Sequence, residues 1–63
     1  MEIHIIIDEG GIYQGCYVSP DLSNADVELI DFVTDDISEW EDAQDRYNMC
    51  VQRALNGELK AVY

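Results

Sequence analysis

The sequence predicts an α+β protein: a small antiparallel sheet with one α-helix packed on one face. Three observations carry that prediction. An isoleucine run at Ile3, Ile5 and Ile7 stops at Gly10-Gly11 and is followed by a second alternating segment, IYQGCYV. After Asp36 the apolar spacing changes from every second residue to every third or fourth, the shift from strand to helix. Finally, 63 residues can bury only about 60% of the surface an unfolded chain exposes, so residues 1–63 form a single small domain.

In the first strand, from Glu2 to Asp8, Ile3, Ile5 and Ile7 alternate with His4 and Ile6, and β-branched residues at a period of two suit a pleated surface. If Gly10-Gly11 is a two-residue hairpin loop, Glu9 lies opposite Ile12, and counting outward pairs Ile5 with Cys16, His4 with Tyr17 and Ile3 with Val18. This register sorts the hairpin into two faces. Ile3, Ile5, Ile7, Ile12, Cys16 and Val18 are expected beneath the helix, and His4, Ile6, Tyr13, Gly15 and Tyr17 on the side away from it. A slip of one residue would mix the two sets.

Ser19-Pro20-Asp21-Leu22-Ser23-Asn24 is a connecting loop, because its proline cannot continue a central strand. In the third strand, DVELIDFVTDD, Val27, Leu29 and Val33 alternate with Ile30 and Phe32, which implies that both sheet faces are at least partly covered. From Asp36 to Asn56, Trp40, Ala43, Tyr47, Cys50 or Val51, and Ala54 form one helical stripe. Asp36 with Glu39, or Ser38 with Glu41, supplies a capping box, and Gly57 suits the left-handed residue after the last turn. Acids crowd the first turns while Arg46 and Arg53 come later, the order the helix dipole favours. Leu59 to Tyr63 alternate in a way compatible with a short fourth strand.

Fourteen acidic residues face three basic ones, for a net charge of −11. That balance repels nucleic acid and anionic membranes and attracts basic protein surfaces. The hydrophobic fraction of 48% is that of a folding chain. No apolar run is long enough to span a membrane and no secretion signal opens the chain, so the expected location is the cytoplasm. Cys16 and Cys50 read as reduced core residues.

The chemistry this sequence offers is sparse. His4 and Cys16 point to opposite faces, and Cys50 sits on the apolar stripe, so no nucleophile meets a base and a non-enzyme is expected. Asp35, Asp36, Glu39 and Asp42 share a helical edge that could hold a hard cation weakly, but the loop of a specific calcium site is missing and no zinc spacing occurs. No metal or cofactor is therefore predicted. Gly10-Gly11 leads into a strand and begins no phosphate-binding pattern.

Two surfaces remain as candidate sites. The acidic edge Asp35, Asp36, Glu39, Asp42 and Asp45 spaces its carboxylates closely enough to rival B-DNA, with its one charge per ~1.7 Å, for a basic groove. The sheet face with His4, Ile6, Tyr13 and Tyr17 offers aromatic area to a partner or a second copy. The hairpin GGIYQGCY, the strand VELIDFVTDD and the acidic helix after them together resemble the short acidic accessory proteins of phages and conjugative elements of Gram-positive bacteria. That group has no common activity. Some proteins of this size and charge from such elements inhibit host defence nucleases, so the resemblance implies an anti-restriction or anti-CRISPR role and transfers no functional residue. The functional expectation is thus a non-catalytic acidic module that binds the basic, nucleic-acid-binding groove of another protein as a DNA mimic. The alternative is a homodimerising or scaffolding module acting through the Tyr13 and Tyr17 face.

Overall fold

Asp8 shapes the first turn. Its carboxylate accepts the backbone N–H groups of Gly10 and Ile12, both at 2.9 Å, and the amide of Gln14 at 2.6 Å. These bonds hold its carboxyl below the usual range, the Ile12 amide most of all. Its own N–H donates to the Ile12 carbonyl, so Asp8, and not Glu9, stands opposite Ile12. The computed structural model describes residues 1–21 and 23–62. Its elements are β1 (Glu2–Ile7), β2 (Tyr13–Val18), β3 (Asp26–Asp31), α1 (Ile37–Leu55) and β4 (Lys60–Val62). The α+β class is as expected: four strands in one sheet carry one packed helix. Tyr63 and Leu22 lie outside the described residues.

Strand order is β3-β1-β2-β4. The sheet is mixed, because β3 runs parallel to β1 while β1–β2 and β2–β4 are antiparallel. The loop after β2 causes this by crossing beneath the start of β1. Ser19 exchanges hydrogen bonds with Glu2 on one side of that strand, at 3.0 and 2.7 Å, and Asp26 donates its N–H to the Met1 carbonyl on the other, at 2.7 Å. The Met1 ammonium donates to the carbonyls of Ser23 and Asn24. Asp21 closes the crossing, accepting the hydroxyls of Ser19 and Ser23 and facing the ammonium. Those donors, Ser19 first, hold its carboxyl well below the usual carboxylate range.

Ile3 pairs with Val18, His4 with Tyr17, Ile5 with Cys16 and Ile6 with Gly15, after which Ile7 pairs with Tyr13. Gln14 is thus the extra residue of a bulge. Gly15 takes φ 121° there, a conformation that residues with a Cβ seldom adopt. The consequence is local but decisive: Tyr13 shares the face of Ile7, opposite to Tyr17.

The helix keeps its expected ends. Asp36 is the N-cap, accepting from the N–H and hydroxyl of Ser38 at 2.9 and 2.7 Å, which pull its carboxyl below the usual range. Glu39 does not complete a capping box. It accepts from the Thr34 hydroxyl, whose oxygen in turn accepts the Asp36 N–H. Gly57 has φ 79°, and the N–H groups of Gly57 and Glu58 reach back to the Ala54 and Arg53 carbonyls.

The helix covers the face opposite to the one expected. Ile6 and Ile30, 6% and 0% exposed, pack with Ala43, Cys50 and Leu59, and Tyr17, Phe32, Tyr47 and Ala54 lie against them. Phe32 meets Trp40 and Tyr47 edge-on, and Tyr17 meets Tyr47 in the same way. The even positions of β1 therefore face the helix, and Ile3, Ile5 and Ile7 face away from it. Cys16 follows Ile5 to the open face, partly buried, while Cys50 is buried in the core; both are free thiols.

Candidate functional site

The face beneath the helix carries more charge than the one turned away from it. Glu2, His4 and Glu28 project towards α1, where Arg46 and Arg53, two turns apart on the helix, meet them. Arg53 grips both oxygens of Glu2 at 2.7 Å, a bidentate pair. Arg46 lies 3.1 Å from Glu28. The His4 ring bridges the two carboxylates, with Nδ1 3.1 Å from Glu28 and Nε2 3.1 Å from Glu2. Arg53, and then His4, lower the pKa of Glu2 to about 2. For Glu28, burial pushes upward, but His4 and Arg46 outweigh it and leave the carboxyl below its usual value. Glu2 in turn raises Arg53 further above its already high range.

This row holds helix to sheet and contains no activated nucleophile. Both imidazole nitrogens of His4 are engaged by carboxylates. Cys50, on the stripe above, has its thiol pushed up by burial and then by Glu28, the reverse of activation. Cys16 and His4 face opposite sides of the sheet. A cleft of about 620 Å³ opens between α1 and the hairpin, lined in part by Trp40, Tyr47, Glu9 and Gln14. Several of its polar groups pair with one another: Glu9 accepts the Trp40 indole N–H at 3.0 Å, and Gln14 donates to Asp8. Among the described residues, no group of three or more His, Cys, Asp or Glu side chains could hold a metal ion. No helix among them is long and apolar enough to cross a membrane.

The two candidate surfaces fare differently. Along the acidic edge, Asp36 is committed to its cap, Glu39 to Thr34, and Asp42 lies 3.5 Å from Arg46. Asp35 and Asp45 are exposed. Much of the charge grouped along this edge is used locally. The four residues grouped as a sheet face do not share one open surface: His4, Ile6 and Tyr17 face the helix, and the bulge turns Tyr13 to the other side.

That other side is the surface the sequence reading missed. Adjacent strands align Val27, Ile3, Val18 and Lys60 in one row, then Leu29, Ile5, Cys16 and Val62, then Asp31, Ile7 and Tyr13. Val27 and Leu29 are 59% and 52% exposed. Tyr13, also half-exposed, has its hydroxyl pKa raised chiefly by the Cys16 thiol beside it. Asp31 is the one acid among the described strand residues on this face, and its carboxylate accepts the Val33 N–H. Comparison with known proteins finds no matching family, curated protein or solved structure.

Proposed function

We propose that this protein is a non-catalytic protein-binding module whose working surface is the open face of its sheet. One observation carries the reading: in a chain of net charge −11, the side of the sheet left uncovered is a nearly uncharged field of isoleucine, valine and leucine. Water-facing sheet sides ordinarily carry the polar half of an alternating pattern. Here that half lies under the helix. Three six-residue strands and the three-residue β4, at ~4.8 Å spacing and ~3.3 Å rise, give a face of about 330 Å² in projection, within the range of the largest and often functional patches on monomers.

The acidic-edge reading, an inhibitor of the DNA-mimic type acting on a basic nucleic-acid-binding groove, is the second proposal. It draws support from Asp35, just before the helix, and Asp45, midway along it, both of which remain exposed. A photo-crosslinking phenylalanine analogue placed at Leu29 in one protein and at Asp45 in another, irradiated in extract of the native cells, separates the two. Protein adducts at position 29 and not at 45 are expected. Adducts confined to position 45 would transfer the function to the acidic edge, and adducts at neither position would contradict both readings.

A further inference from the structure

The proposal above leaves the occupant of the open face unnamed, and charge and area narrow it. A basic partner would gain little there, because the carboxylates lie elsewhere: under the helix, along its flank and in the loops. What fits is a flat, apolar, nearly neutral surface of the same extent. We infer that the occupant is a second copy of this chain, the two sheets stacked face to face about a two-fold axis; this rests on the open face being a protein-binding surface.

The two charged side chains of the face indicate the orientation. Asp31 stands at the end of edge strand β3, and Lys60, paired with Val18, at the diagonally opposite corner on β4. A two-fold axis lying in the interface along the other diagonal exchanges those corners. Each Asp31 then meets the partner's Lys60, twice per dimer, and the strands of the two sheets cross near 90°, one of the two established ways for sheets to stack. The outline permits this: β4 is three residues long, and the corner it leaves empty lies on the axis. About 330 Å² in projection on each copy, or about 660 Å² for the pair, lies below the ~1,200 Å² at which standard interfaces begin, so the dimer is a weak one.

Self-association of so acidic a chain has a diagnostic salt response. Two copies at −11 each repel at long range, and salt screens that repulsion, so the dimer tightens as salt rises. Carboxylates bound in a basic groove would respond in the opposite sense.

Sedimentation of the full chain tests the inference. At about 1 mM in about 150 mM salt the wild type should show a species of twice 7.2 kDa, with a dissociation constant several-fold lower in ~500 mM than in ~50 mM salt. Leu29→Lys, at a half-exposed position that tolerates the charge, should weaken dimerisation at least tenfold with an unchanged circular dichroism spectrum. Asp31→Lys should weaken it several-fold despite its smaller net charge, and adding Lys60→Asp should restore it. A wild type that stays monomeric at about 1 mM, or a Leu29→Lys protein that dimerises as well as the wild type, overturns the inference. A double variant as weak as Asp31→Lys overturns the crossed arrangement. A monomeric wild type that still crosslinks from position 29 to a different protein sinks the second copy and leaves the binding face standing; failure of both experiments removes both.

Discussion

Glu2, His4 and Glu28 lie between sheet and helix, whereas Ile3, Ile5, Val27 and Leu29, their immediate neighbours along the same strands, face away from the helix. The two sides of one sheet thus differ in the reverse of the usual sense. The covered side pairs its charges, with Arg53 on Glu2 and Arg46 on Glu28, and reserves hydrophobic packing for the end near Ile6, Ile30 and Phe32. The open side is mostly aliphatic, with Tyr13 and Cys16 among the aliphatics and Asp31 and Lys60 at opposite corners. Ion pairs at partly exposed positions contribute little net stability, so the row beneath the helix mainly fixes how α1 sits, while much of the aliphatic surface that could stabilise this small domain stays outside its core. That division suits a chain whose second layer is completed by contact with another molecule.

The largest expected effect separates two adjacent residues. Ile30 is fully buried, so Ile30→Ala should cost about 2 to 5 kcal/mol, most of the roughly 3 to 9 kcal/mol available to a domain of this size. Leu29→Ala, one residue away on the open side, should cost under about 1 kcal/mol in dilute solution. Urea denaturation of the two proteins measures both. Equal losses would erase the distinction between the faces.

Next in size is the bulge that sends Tyr13 to the open side. Gly15→Ala forces a side chain into φ 121° and should cost about 1 to 3 kcal/mol, seen as a lowered thermal midpoint. An unchanged midpoint would mean that Gln14 and Gly15 do not form the bulge in solution.

Much of this architecture is legible in the sequence. The pairs Ile3–Val18, His4–Tyr17 and Ile5–Cys16 are as expected, although the turn behind them is not: the loop takes in Glu9 as well as Gly10 and Gly11, and the extra residue Gln14 restores the count. The helix ends follow from Asp36 and Gly57. The side on which the helix rests does not follow, because three isoleucines mark one face of β1 and hydrophobic burial alone assigns them to the core. A signal against that assignment was present: Arg46 and Arg53 flank Ala43 and Cys50 on the helix stripe, and such a stripe requires acids opposite it, which Glu2 and Glu28 supply. Strict alternation groups Tyr13 with Tyr17, because it admits no extra residue such as Gln14. The parallel β1–β3 pair depends on where the loop from Ser19 crosses, which local turn chemistry does not encode.

A smaller effect concerns acid. Arg53 and then His4 hold Glu2 at about 2 against an ordinary 4.5, so its pairing favours the fold above pH 4.5 and is lost as pH falls through 4.5 towards 2. Thermal melts at pH 5, 3.5 and 2.5 should therefore show a drop in midpoint that is shallower in Arg53→Met. Identical slopes would mean that the Arg53 pair contributes nothing to the covered side. The smallest effect is expected on the helix flank, where Asp45→Asn should change stability by no more than about 0.5 kcal/mol and leave the sedimentation profile unaltered.

The contrast between the two sheet faces is tested most directly by methyl NMR spectra of the wild type, recorded while it is diluted from about 1 mM to about 20 μM, a range that spans micromolar association. Methyl resonances of Ile3, Ile5, Val27 and Leu29 should move together with dilution while those of Ile6, Ile30 and Leu59 stay fixed. Spectra in which no methyl moves, or in which the moving ones belong to Ile37, Met49 and Leu55 on the exposed helix surface, would contradict the assignment of the open sheet face as the surface through which this protein associates.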